Sequence, residues 1–120
     1  MHTQNLEQLA TWLEAGAPHV KFDMLVGAAV KPDCGTSCCM AGAAFFMKHN
    51  AIGCPTRQAQ LANEYGTDVS VCELNWIKVQ REAAEWLDVD PLLFAGPDAA
   101  TPARAALEVR KVMKGQDPWV

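Results

Sequence analysis

Ten consecutive residues, Cys38-Cys39-Met40-Ala41-Gly42-Ala43-Ala44-Phe45-Phe46-Met47, carry no charge and no strongly polar side chain. A membrane span needs roughly 18–20 apolar residues, so a run this short has to be hidden inside protein. Thr36 is a favourable N-cap before it and Lys48 ends it. The pattern therefore predicts one buried helix over roughly 36–48, apolar on every side, with the rest of the chain wrapped around it. Ala41, Gly42, Ala43 and Ala44 would let another backbone come close, while Phe45, Phe46 and Met47 fill volume. The full length of 120 residues amounts to one domain, 1–120, and 19 alanines favour packed helices over β-branched sheets.

The wrapping elements follow from local signals. Leu6, Leu9 and Leu13 recur at helical spacing, Thr3 or Asn5 can cap them, Trp12 closes the core edge, and Gly16 with Pro18 stops the helix. Between Ala17 and Asp33 the alternation of Val20, Phe22, Met24 and Val26 allows a short strand or extended segment within an irregular stretch. A polar helix reads from Thr56 to Tyr65 and stops at Gly66. Val69, Cys72, Trp76, Val79, Ala83 and Trp86 share a helical stripe, secure from about Glu73 to Leu87. Asp90-Pro91 announces a one-turn helix carrying Leu92, Leu93 and Phe94, and Thr101-Pro102 opens a final helix that ends at Lys111 and Lys114 before Gly115. The expected fold is mainly α: a single-domain bundle of about five helices around the central one.

A net charge of −4 opposes sequence-independent nucleic-acid binding, which needs a basic face. No direct nucleic-acid partner and no membrane are expected. The charge is uneven: the stretch from Glu64 to Asp98 is acidic and the last helix, with Arg104, Arg110, Lys111 and Lys114, is basic. Solvation and complementing of helix ends explain most of this. As a binding face, the acidic middle would present Glu73, Glu82, Glu85, Asp88 and Asp90 to a basic protein partner. Five cysteines, an odd number, and an N-terminus without basic or apolar leader character point to a reducing cytoplasm with free thiols or a metal.

The cysteines at the start of the central helix are the one chemically unusual feature. Cys34, Cys38 and Cys39 surround a predicted helix N-terminus, whose partial positive charge lowers a thiol pKa. A reversible disulfide between Cys34 and Cys39 is one reading. A zinc site from Cys34, Cys39 and Cys54 with His19 or His49 is another, although paired Cys-x-x-Cys knuckles are missing. A third is a nucleophilic cysteine: Cys34-Gly35-Thr36-Ser37-Cys38 resembles the papain-type Cys-Gly-Ser-Cys-Trp, and Asp33-Cys34 resembles the Asp-Cys-Ser-Gly of small cell-wall peptidases. Those families place a histidine base far downstream, whereas the last histidine here is His49, at the other end of the same helix. Against all three stands the plain reading of Cys38, Cys39, Cys54 and Cys72 as small buried hydrophobes. No phosphate-binding glycine loop and no carboxylate pair stand out, and His2 lies near an end expected to fray. Trp76, Trp86 and Trp119 could form an aromatic surface, but Trp76 and Trp86 lie on the apolar stripe and read more readily as core.

Phe22-Asp23-Met24, then Cys34-Gly35-Thr36 with Cys39, Ala41, Gly42 and Ala44, then Ala83 to Val89 and a closing Thr101-Pro102-Ala103-Arg104-Ala105-Ala106, together resemble a group of small uncharacterised bacterial and phage proteins. The chain departs from that pattern at Leu25-Val26, where an aromatic is commoner, and in the extra Cys38. The resemblance implies a compact helical domain and a matching pair, Cys34 and Cys39, and it implies no activity. A phage link would favour a protein that acts on a host or defence component. The expectation is a cytoplasmic, non-catalytic binding or regulatory protein without a cofactor. The alternative is a thiol-redox or zinc-binding protein centred on Cys34 and Cys39.

Overall fold

The computed structural model describes residues 1–24, 26–30, 36–66 and 73–120. In it the apolar run supplies the innermost helix, α2 (Met40–Lys48), with every residue from Met40 to Met47 buried. Burying side chains such as Phe45 and Phe46 contributes about 1.5–3 kcal/mol each.

The helix starts four residues later than its sequence suggests. Ser37–Cys38 form strand β3, which lies between β1 (Lys21–Phe22), parallel to it, and β2 (Ala28–Ala29), antiparallel. The backbone just before the helix is therefore already committed: Lys21 N–H donates to Thr36 O and Asp23 N–H to Cys38 O, both at 2.9 Å. Cys39 becomes the N-cap, and Thr36 caps nothing. Its hydroxyl instead donates to Gln58 Oε1 at 2.6 Å, and Gln58 Nε2 donates to Ala51 O at 2.9 Å, a buried relay between β3 and the α2 to α3 connection.

Close approach of another backbone is realised at Gly42. A Cβ there would stand 1.9 Å from Gly27 O and 2.7 Å from Cys38 Cβ, so the β1 to β2 loop lies directly on α2. Cys39 N–H donates to the same Gly27 carbonyl at 3.3 Å.

Around this centre sit α1 (Thr3–Glu14), α3 (Pro55–Tyr65), α4 (Trp76–Leu87), a 3-10 turn (Pro91–Phe94) and α5 (Pro102–Met113). α1 buries Leu6, Leu9, Ala10 and Leu13 and packs along α5, while α2 packs along α4. Neither Thr3 nor Asn5 caps α1. The N-cap is His2, and Asn5 Nδ2 donates to Trp86 O at 2.7 Å. The segment expected to fray is tied down, since His2 N–H donates to Leu87 O at 2.9 Å. Trp12 does close the core edge, its indole N–H donating to Pro18 O at 3.1 Å.

α4 begins at Trp76 rather than Glu73 because Glu73 and Leu74 are drawn into bridges with Ala29 and Gly66. Asn75 is its cap, accepting from Lys78 N–H at 3.2 Å. The stripe positions Val69 and Cys72 lie outside the described residues. Asp90 and Thr101 act as their sequence predicts, accepting from Leu92 N–H at 2.9 Å and Arg104 N–H at 3.2 Å. The architecture is thus mainly α with a small three-stranded sheet. Among the described residues no helix is long and apolar enough to cross a membrane.

Candidate functional site

β3 and the α2 N-cap place Cys38 and Cys39 side by side in the core. Burial, with the neighbouring Cys39 adding to it, pushes the Cys38 thiol well up. Burial also raises Cys39, outweighing the amides of Gly42 and Ala41 that favour its thiolate. The effect expected of a helix N-terminus is present here and burial exceeds it. Cys39 Sγ donates to Gly27 O at 3.7 Å, the geometry of a protonated thiol. Cys54 is half-buried and serves as the α3 N-cap residue. The His19 ring lies against Gly53 beside it, 3.5 Å from where a Gly53 Cβ would be. Cys34 lies outside the described residues. Among those that are described, no group of three His, Cys, Asp or Glu side chains converges as a metal site would require.

The acidic residues of the middle segment are engaged to different degrees. Asp88 pairs with the α-amino group of Met1, and Asp90 is occupied as a cap. Glu73 and Glu85 are exposed. Part of the basic end is paired within the fold: Arg110 pairs with Glu7 and with Glu14 at 2.7 Å, tying α5 to α1, and Lys111 reaches Glu108 at 3.0 Å, while Arg104 and Lys114 are exposed.

Glu82 is the centre of a polar cluster that joins three helices. Lys48 Nζ donates to its Oε1 at 2.8 Å, His49 Nε2 lies 2.9 Å from the same oxygen, and Tyr65 bonds the carboxylate as well. Arg57 Nη2 stands 3.4 Å from His49 Nδ1. Burial opposes ionisation of Glu82, but the bonds from Lys48, Tyr65 and His49 outweigh it and hold the carboxyl below its ordinary value. The same contact raises the Tyr65 hydroxyl. Glu82 thereby fastens α2, α3 and α4 together.

A concave surface lies where α4 begins. Trp76 is 42% exposed and Ile77 66% exposed, beside a cavity of about 320 Å³ lined by Met24, Val26, Gly27, Ala28, Glu73, Leu74 and Trp76. A Cβ on Gly27 would meet the Trp76 ring at 2.5 Å, so the glycine lets the indole lie on the loop backbone and form a wall. The stripe reading put Trp76 in the core; Trp86 and Trp119 do pack against it, and Trp76 faces outward.

Sequence reasoning missed Lys48, Arg57 and Tyr65 as a group, since nothing local links them. It also missed Glu108, which is 2% exposed. A signal existed there: Glu108 falls three residues after Ala105 and directly before Val109, on the buried stripe of α5. Compared with known proteins, the chain matches no family model, and neither a curated protein nor a solved structure is significantly similar to it.

Proposed function

We propose that this chain is a small, non-catalytic binding or regulatory protein that grips a protein partner at the start of α4. The observation that carries this reading is the exposure of Trp76 on the wall of the 320 Å³ cavity, with Ile77 exposed at the next position of the helix. The inward stripe of the same helix, Val79, Ala83 and Leu87, is buried in the core, while Trp76 and Ile77 keep much of their apolar surface in solvent. Tryptophan beside a small well is a common anchor point of protein interfaces, because one apolar side chain of the partner can be desolvated there.

Glu73 on the rim and Glu85 further along α4 favour a partner segment with an apolar anchor flanked by lysine or arginine. The residue pattern shared with small bacterial and phage proteins makes a host or defence protein the target class. A photo-crosslinking amino acid placed at Ile77, and at exposed Gln8 as control, tests the surface in a lysate of the source or host cell. The expected result is a discrete adduct from Ile77 alone that disappears with Trp76→Asp. Identical adducts from both positions, or adducts indifferent to Trp76→Asp, would overturn it.

A further inference from the structure

α3 is the helix least secured by its own residues. It has 11 of them, short of the roughly 12–15 that an isolated helix needs in water. Neither end is capped: the Cys54 side chain makes no capping bond, and Tyr65 passes into Gly66 with extended dihedrals instead of the left-handed turn that closes many helices. Leu61 is its one fully buried apolar side chain, with Ala62 and Tyr65 half-buried beside it, whereas α1 buries four apolar side chains and α2 a continuous run. Among the described residues, α1 lies along α5 and α2 along α4, while α3 runs along no other element.

Polar contacts do most of the work of holding α3 in place. Arg57 Nε donates to His49 O at 3.2 Å. The buried Gln58 amide accepts from the Thr36 hydroxyl and donates to Ala51 O, and the Tyr65 hydroxyl bonds the Glu82 carboxylate. The Tyr65 ring stands edge-on to Phe45, with centroids 5.0 Å apart. The end of α3 also pins the start of α4: Tyr65 O accepts from the N–H of Asn75, the α4 cap residue, at 2.6 Å, and Gly66 bridges Leu74. Leu74 lines the cavity walled by Trp76.

We propose that α3 is a flap: it opens as one unit while α1, α2, α4 and α5 stay folded, and its opening unpins the residues that begin α4 beside the Trp76 cavity. Lifting α3 bares Leu61, one side of Phe45 and the Thr36 and Ala51 groups that Gln58 satisfies. Lifting any of the other helices would bare a run of core side chains, so the lowest opening free energy belongs to α3. The bond from Tyr65 to Glu82 is the latch, since it joins the flap directly to α4. The flap is a property of the fold and stands whether or not the Trp76 surface takes a partner.

Native-state hydrogen exchange of the full chain in low urea tests this. After correction for intrinsic rates, the amides from Gln58 to Tyr65 should share one opening free energy and exchange at least about hundredfold faster than those of α2. Their common urea slope should lie above zero and below that of global unfolding. The Asn75 amide should exchange with them. Tyr65→Phe keeps the ring against Phe45 and removes the bond to Glu82, so this whole group should speed up about fivefold. Val109→Ala thins the core under α5, a helix that does not run along α3, and should speed the α2 amides about tenfold or more while the α3 group keeps its rate. Exchange of α3 at the rate and urea slope of global unfolding, or α3 amides that follow α2 in Val109→Ala, would overturn the proposal. Slopes near zero, graded inward from the helix ends, would mean fraying and overturn it as well. A Tyr65→Phe chain with unchanged α3 exchange would refute the latch, and an Asn75 amide as protected as α2 would refute the unpinning.

Discussion

Helices α2 and α5 are both internal supports, and they are held in opposite ways. α2 is positioned by exclusion: its eight buried residues carry no charge, and the Gly27 backbone touches it where any side chain on Gly42 would intrude. α5 is positioned by matching: its inward face carries Glu108, surrounded by Lys111, Arg104 and the Trp119 amide. Burial opposes the Glu108 charge, yet those donors hold its carboxyl below the ordinary value. The difference teaches that volume fixes the centre of this molecule, whereas charge fixes the margin where a segment has to be held down. Even α2 uses charge only at its end, where Lys48 and His49 meet Glu82.

The sharpest way to break this contrast is Gly42→Ala. One methyl group would overlap a backbone carbonyl that also accepts from Cys39 N–H, so the expected loss is about 3 kcal/mol or more, a fall of roughly 10 °C or more in the unfolding midpoint. Urea unfolding reads it, and an unchanged midpoint would mean that the loop is not seated on the helix. Glu108→Gln comes next. It keeps the shape and removes the charge, leaving Lys111 and Arg104 unmatched, for a loss of about 1–2 kcal/mol. Trp119 should gain solvent exposure in the same variant, measured by fluorescence quenching.

Glu82→Gln has the smallest effect at neutral pH, below about 1 kcal/mol, because its partners reach solvent. Its signature lies in acid. The folded carboxyls of Glu82 and Glu108 sit below the unfolded value, so their contribution is complete above about pH 5 and is lost as pH falls through the folded values. Wild type should lose stability on that limb, and Glu82→Gln should lose less. Parallel acid limbs for the two proteins would show that the Glu82 cluster carries no net stabilisation.

Much of this molecule was legible because its signals are local. The Asp90-Pro91 and Thr101-Pro102 caps, the Leu6, Leu9, Leu13 stripe and the Gly42 contact each depend on a few neighbouring residues, and each appears as expected. The outward turn of Trp76 was not legible. Helical spacing puts it in line with Val79 and Ala83, but the bridges at Glu73 and Leu74 start α4 at Trp76, so the indole stands at the helix end, against the Gly27 backbone and partly in solvent. The thiols followed the same rule. A helix N-terminus near Cys39 could be predicted, whereas the burial that keeps the thiol protonated came from the loop laid over it.

By itself, then, the sequence determined that a charge-free stretch must become the centre of a helical domain, because water excludes it and it is too short to cross a membrane. The tertiary structure decided where that centre begins. Thr36, Ser37 and Cys38 find their partners at Lys21 to Asp23 and Ala28 to Ala29, across chain distances that no local pattern encodes. Glu82 and Glu108 followed the same logic. A glutamate on a helix face becomes a fastening or a surface charge according to which donors meet it: those of Glu82 come from α2 and α3, whereas Glu108 adds the Trp119 amide from the segment after α5 to Arg104 and Lys111 of its own helix.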